Sequence, residues 1–396
     1  MPSKSMGKRI YLDNAATSWP KPESVYQAVD QYQRESGATV SRSTSATAET
    51  LQKTINLLRM ELKRFLGAAA DTEVVFAQNG TDALNLAFHG LLAPGDHVVT
   101  TTAEHNSVLR PLRWLEDHRN IRVTRVRCDE RGMVESRQIE QALLPQTKLV
   151  SLVGTSNVTG FSNPITDIGK IISPSNSLFL VDAAQTVGHR KIDMQESKID
   201  LLAFPGHKGL LGPLGTGCLL VGTKAQHQMT PIRQGGTGAS SDSDHHPRDF
   251  PHGFEPGSPN IPGLIGLGAG LHFLQQTGLD TIGRHVAQIT AALARQLMSL
   301  SNIQLYPAEP ELTGLPNHLE SGILSLNHSH LAPQEFAGIL DSSFGIQTRA
   351  GHHCASLIHE PIGCPQGCVR LSLGYFNQMA DVEATLRAIR EISATV

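Results

Sequence analysis

An α/β fold, built on a mostly parallel seven-stranded sheet and followed by a smaller C-terminal α/β domain, is what this chain predicts. Strand-like and helix-like segments alternate from residue 73 to 222. Seven strands with intervening helices imply a mostly parallel sheet covered on both faces. After Val221 the composition shifts, and mixed strand and helix patterns return only beyond residue 263.

The strand candidates, in order, are 73–77, 97–101, 122–127, 149–153, 178–181, 201–204 and 217–221. Gln78-Asn79-Gly80-Thr81-Asp82 follows the first and opens a helix over 83–90. Asn163-Pro164 starts another, since asparagine caps and proline suits the first helical turn. The stretch 235–260, rich in Gly, Ser, Asp, His and Pro, reads as a loop or linker, with disorder as its plain alternative. An amphipathic helix over 279–300 aligns Ile282, Val286, Ile289, Leu293 and Leu297 on one face. The tail predicts a strand near 322–326, a helix near 333–340, a strand near 369–373 and a last helix aligning Val382, Leu386, Ile389 and Ile392. The expected division is a large domain over 20–262 and a small one over 263–396, joined by the N-terminal segment 1–19.

At 396 residues the chain accommodates about two or three domains. A formal charge of −3 argues against a polyanionic partner, and 5% aromatic residues offer few platforms for stacked bases, so nucleic-acid binding is not expected. The first ten residues hold no apolar signal core, and no apolar run approaches the ~18 residues of a membrane span. Five cysteines, an odd number, do not suggest a disulfide scaffold; Cys128 and Cys218 lie in strand-like runs, and a reducing cytoplasm fits best.

Lys208 is the most informative residue. It follows an apolar strand and is wrapped by glycines, where a backbone turns tightly around a ligand. A partly desolvated amine there can lose its proton near neutral pH and condense with an aldehyde. Asp182 ends another apolar run 26 positions earlier (208 − 182) and suits a pyridinium nitrogen. Together they make the lysine-plus-aspartate pattern of a pyridoxal 5'-phosphate (PLP) site. Gly80 and Thr81, at a helix start, offer N–H groups and a hydroxyl to a phosphate. Dinucleotide and P-loop fingerprints are missing.

His105 lies just past the second strand and can cover a flat ring or move protons. Arg349-Ala-Gly-His-His-Cys354 sets a thiol beside two histidines and an arginine, a setting that favours a thiolate nucleophile. Cys364 and Cys368 fall in the loose spacing of zinc ligands, but no matching second pair follows, so no metal is expected and the two read as ordinary thiols, with a sulfur relay as the alternative. Arg370 interrupts an apolar strand; it either grips a substrate carboxylate or completes an internal salt bridge.

Taken together, these runs resemble the cysteine desulfurases of the class V aminotransferase group, which are PLP enzymes of fold type I. The matching text includes Tyr11-Leu-Asp-Asn-Ala-Ala-Thr17, Asn79-Gly-Thr81, Glu104-His105-Asn-Ser, Thr155-Ser-Asn157-Val-Thr-Gly, Val181-Asp182-Ala-Ala-Gln185, Gly206-His207-Lys208, Phe254-Glu-Pro-Gly-Ser258-Pro-Asn260, Arg349-Ala-Gly-His-His-Cys354-Ala and Val369-Arg370-Leu-Ser-Leu-Gly, in family order over nearly the whole chain. The resemblance implies Lys208 as the Schiff-base lysine, Asp182 as the partner of the pyridine nitrogen, His105 stacked on the ring and Gln185 at its phenolic oxygen. It implies Gly80, Thr81 and His207 at the phosphate, with Ser258 reaching the phosphate of the neighbouring subunit in a homodimer. Asn157 and Arg370 would hold the substrate carboxylate, and Cys354 would be the nucleophile.

The implied reaction converts L-cysteine to L-alanine and captures sulfur as a persulfide on Cys354 for an acceptor protein, in a pathway such as iron–sulfur cluster assembly. The short Gly-His-His-Cys context is closer to the Suf-type branch. Selenocysteine lyase activity, or other class V chemistry, is the alternative implied by the same resemblance; a catalytically silent binding protein is the remaining one. One departure is Pro205, which stands where many relatives have a serine or threonine that bonds the phosphate.

Overall fold

The structure is a computed structural model that describes residues 9–38, 45–238, 242–307 and 316–396. Residues 1–8, on which most of the reading of the first ten residues rests, and three positions of the 235–260 loop (239–241) lie outside the described residues. The large sheet has seven strands: β2 (Glu73–Ala77), β3 (His97–Thr101), β4 (Arg122–Val126), β5 (Thr147–Val153), β6 (Leu178–Asp182), β7 (Leu201–Pro205) and β8 (Gly217–Val221). A short β1 (Ile10–Tyr11) precedes them.

The order across the sheet is β2-β8-β7-β6-β5-β3-β4, and β8 runs antiparallel to both its neighbours. The other six therefore share one direction, and their carboxyl ends line one edge. Alternation along the strands splits the core in two. Val74, Phe76, Val150, Phe179, Val181, Leu202, Phe204 and Leu220 pack on one face, and Val75, Leu149, Leu178, Leu180, Leu201, Ala203 and Leu219 on the other. Both layers exclude water, which is why these strands read as nearly continuous apolar runs.

A second sheet of four strands, in the order β12-β13-β10-β9, gathers β9 (Ile303–Tyr306), β10 (Ile323–His328), β12 (Arg349–Gly351) and β13 (Cys368–Ser372), all antiparallel. The helices Leu279–Met298, Pro333–Phe344 and Met379–Thr395 cover it through Leu293, Leu297, Phe336, Leu340, Leu386 and Ile389. β1 pairs in parallel with β11 (Ile346–Gln347), so the start of the described chain is stitched to the region that carries Arg349. No helix among the described residues is long and apolar enough to cross a membrane.

Candidate active site

Five loops leave the shared strand edge, and Thr81, His105, Asn157, Asp182, Gln185 and Lys208 sit on them or at their ends. After β2, Asn79 caps the helix Gly80–Leu91 by accepting from Asp82 N–H at 2.9 Å. Pro205 packs over that helix start: a side chain on Gly80 would meet the proline ring at 3.1 Å. Pro205, which stands where a hydroxyl donor was expected, thus lies against the helix start. Thr81 Oγ1 lies 2.7 Å from Ser107 Oγ, which ties the first helix start to the second.

After β3, His105 caps the helix Asn106–Arg119; Ser107 N–H donates to its Nδ1 at 3.0 Å, and the Ser107 hydroxyl lies 2.8 Å from the same nitrogen. Burial, then the positive charges of Lys208, Arg349, Arg370 and Arg110, push its pKa down to about 4, so the ring is neutral at pH 7. The adjacent Glu104 is fully buried, and desolvation raises its carboxyl to about 8.

Asp182 ends β6, buried, and accepts from Ala184 N–H at 3.0 Å. Desolvation raises its pKa and the Lys208 charge opposes that rise. Gln185, on the turn that follows, donates to Ala15 O at 2.8 Å. Lys208 follows β7 half-buried; loss of hydration lowers its amine to about 8, with Asp182 pulling the other way and Arg370 and Arg349 adding to the drop. An ordinary lysine is still charged at that pH. Modification of Lys208 by an amine-selective acylating reagent, followed by peptide mass spectrometry on cofactor-free protein, is therefore expected to reach half its limiting rate near pH 8, well below the value for exposed lysines. A profile rising only above pH 10 would refute the desolvated amine.

The segment before the lysine is firmly anchored. His207 O accepts from Ser18 N–H (3.1 Å), Ser18 Oγ (3.1 Å), Thr17 Oγ1 (3.2 Å) and Lys21 Nζ (2.7 Å). Burial lowers Lys21 to about 7 and His207 to about 4.

Arg370, on β13 and 1% exposed, makes the internal salt bridge, one of the two alternatives left open by its sequence setting. Its Nη2 donates to Asp13 Oδ1 at 2.7 Å and its Nη1 to Asn157 O at 2.9 Å, while Nε has no partner among the described residues. An internal salt bridge holds the guanidinium and leaves one donor unused. Asp13→Ala is expected to cost about 3 kcal/mol, because it strands a buried charge; urea denaturation would read this, and a loss under about 1 kcal/mol would mean the pair is not what holds Arg370.

Cys354 is exposed, at φ +57°, directly after His353 at φ +49°. Two successive non-glycine residues in the left-handed region cost about 1–2 kcal/mol each. Asn157 Nδ2 donates to His353 O at 2.7 Å and Asn106 N–H to Cys354 O at 2.6 Å, which hold them there. The thiol's neighbours differ from the sequence expectation. Arg349 Nη2 lies 3.2 Å from its sulfur, but both adjacent histidine rings turn away: His352 to Pro365 O at 3.1 Å and His353 to Cys368 O at 2.9 Å. Alternating side-chain directions in a tight turn separate residues that are neighbours in sequence.

Ser258 is exposed in a surface cleft of about 290 Å³ that also includes Gln78 and Arg233. Three residues escaped sequence reading. Asp13 stands in the Tyr11-to-Thr17 run without any feature marking it as a partner of Arg370. Partly buried His189 shares a small cavity with Lys208 and is lowered to about 4 by burial and by the lysine. His359 is buried against Cys364, and its spacing to Cys364 and Cys368 was the only available signal.

The residue set fits PLP. His207 Nδ1, His189 Nε2, Asn157 Oδ1 and Arg370 Nε are buried without partners among the described residues, so the site presents unused polar atoms to a ligand. A free-amine lysine, a buried carboxylate and a helix N-terminus supply what an aldehyde, a pyridine nitrogen and a phosphate require.

Comparison with known proteins agrees. The family model described as Aminotransferase class-V matches residues 10–385. A Methanothermobacter thermautotrophicus protein described as a probable cysteine desulfurase is 35% identical over 97% of this chain and 94% of its own length. One from Pyrococcus abyssi with the same description is 32% identical over 97% and 94%. The apo structure of a cysteine desulfurase from Thermococcus onnurineus superposes with a TM-score of 0.89 at 31% identity, covering 98% of this chain and 95% of that one.

Proposed function

The chain belongs to the class-V aminotransferase family, and from that membership we propose that it is a PLP-dependent cysteine desulfurase that takes L-cysteine to L-alanine. The observation that carries this reading is an exposed thiol, Cys354, held by Arg349 at the edge of a site built around a low-pKa lysine. Lys208 and Asp182 would hold the cofactor's aldehyde and pyridine nitrogen, with His105 over its ring and Gln185 at its phenolic oxygen. Gly80, Thr81 and His207 would hold its phosphate, and Ser258 that of a second subunit in a homodimer. Bound PLP supplies an electron sink that makes the substrate Cα–H acidic and loosens the Cβ–S bond.

The protein's own residues do the rest. Arg370 Nε and Asn157 Oδ1 are available to orient the substrate, the guanidinium toward its carboxylate. Lys208 Nζ, largely uncharged above pH 8, takes the proton from Cα and returns one later. Neutral His105 leaves the positive charge in the pocket to Arg349 and Arg370. The Cys354 thiolate, with Arg349 as counter-ion, attacks the substrate sulfur: an S–S bond forms, the Cβ–S bond breaks, and its electron pair leaves with the carbon skeleton. The balance is L-cysteine plus enzyme thiol giving L-alanine plus enzyme persulfide.

An acceptor protein then takes the outer sulfur. A cytoplasmic setting suits five cysteines, none of them paired. Residues 20–262 form the cofactor-binding part and 263–396 the smaller part, with 1–19 between them, a division supported by the two sheets. Mass spectrometry after exposure to L-cysteine tests the proposal. One added sulfur on the peptide containing Cys354, with one alanine formed, supports it; alanine formed with no sulfur on that peptide would overturn it.

A further inference from the structure

A second cluster of thiol and imidazole lies beneath the Cys354 turn, and the desulfurase reaction makes no use of it. His359 Nδ1, Cys364 Sγ and Cys368 Sγ lie within 4.8 Å of one another, all three residues buried. His359 Nδ1 is 3.3 Å from Cys364 Sγ. We propose that these three atoms form a binding site for a thiophilic divalent cation, zinc in the first instance.

Three features carry the assignment. In a tetrahedral site with metal–sulfur bonds of about 2.3 Å and metal–nitrogen bonds of about 2.0 Å, ligand atoms stand about 3.5–3.8 Å apart. The cluster is therefore within about 1 Å of that spacing at every pair. The ring of His359 is also already fixed as a ligand. Its Nε2 lies 3.0 Å from His352 O, and a carbonyl can only accept, so Nε2 carries the hydrogen and the Nδ1 lone pair faces the sulfur. A backbone carbonyl on the remote nitrogen is the usual support of a metal-bound histidine.

The donor set gives the cation class. Two sulfurs and an imidazole select zinc or a similarly soft ion over magnesium or calcium. His353 stays outside the set: its Nε2 is 3.4 Å from Cys368 Sγ but is occupied as donor to Cys368 O at 2.9 Å. The fourth coordination position is left open. Binding replaces the two thiol protons by the cation and changes no oxidation state.

The histidine is what favours a cation over a bare dithiol. A disulfide between Cys364 and Cys368 would need no imidazole aimed at either sulfur. The site also stands independently of the desulfurase reading, because none of its ligands touches the Lys208 pocket in that mechanism.

The full chain is to be expressed with zinc in the medium, purified under argon with a non-chelating reductant, dialysed against metal-free buffer and assayed for bound metal. About one zinc per chain is expected. It should persist in Cys354→Ala and be lost from Cys364→Ser and His359→Gln. Because those variants can lose the fold instead, cobalt(II) is also titrated into zinc-free wild-type protein. A thiolate-to-cobalt charge-transfer band saturating at about one equivalent is expected. Zinc below about 0.2 per chain with no such band would overturn the proposal. So would zinc retained by a Cys364→Ser/Cys368→Ser double variant, or a Cys364–Cys368 disulfide in the anaerobic protein.

Discussion

Cys354→Ala is expected to lower alanine formation from L-cysteine by about 10³-fold or more. The substitution removes the only sulfur nucleophile that the geometry presents to solvent at the site. Cys128, Cys218, Cys364 and Cys368 are all buried, and burial raises the Cys128 and Cys218 thiols. None can stand in for it. The variant should fold as the parent does, since an exposed side chain is lost and the backbone bonds from Asn106 and Asn157 remain. It should also keep its yellow cofactor. Steady-state alanine release, with absorbance and circular dichroism as controls, decides the matter. Full activity in the variant would leave the family assignment standing but remove persulfide chemistry, and the selenocysteine and cysteine rates of the two proteins would then show what the enzyme prefers.

Lys208→Ala is expected to abolish turnover, by about 10⁴-fold or more, and also to release the cofactor. Two losses combine: the group that takes and returns the proton at Cα, and the covalent hold on the aldehyde. The variant should be colourless after gel filtration, whereas borohydride treatment of the parent should leave a cofactor-tagged peptide containing Lys208. Stability should not fall, since a half-buried amine whose charge is penalised by desolvation is replaced by a neutral methyl. Retention of colour through gel filtration, or a tagged peptide from elsewhere in the chain, would refute the role of Lys208.

The large sheet was legible because both of its faces are buried. Six of the seven strands carry apolar residues at successive positions, the edge strand β4 being the exception, and all predicted bounds are within two residues of those observed. Of the elements that escaped, the helix Ala46–Phe65 carries a plain apolar stripe in Leu51, Ile55, Leu58 and Leu62, and others have little pattern to read. β1 and β11 are two residues each and exist only as partners of one another. The helix Glu23–Glu35 buries Val25 alone. The helix Ile261–Thr277 is apolar on all sides, so no periodicity marks it, and its glycines admit other backbone: a side chain on Gly270 would lie 2.4 Å from Leu210 O. That close approach seats the helix against the loop after Lys208.

At the site, residues at strand ends were readable because β-strand direction alone brings Asp182, Lys208, Thr81, His105 and Asn157 to one edge. The surroundings of Cys354 were not. Adjacency in sequence suggested that His352 and His353 attend the thiol, whereas the turn sends both rings to backbone carbonyls. Arg349, five residues earlier, reaches the sulfur because β12 lies alongside the turn.

The two left-handed residues at 353 and 354 have a consequence for delivery. With the carbonyls on both sides of the turn fastened by asparagine N–H groups, the sulfur cannot swing outward on a long arm to search for a recipient. On the proposed persulfide reading, cargo would leave from a fixed berth, any recipient would have to bring its own mobile thiol to the rim, and the rate of hand-over would belong to the docking of the visitor rather than to motion of the host.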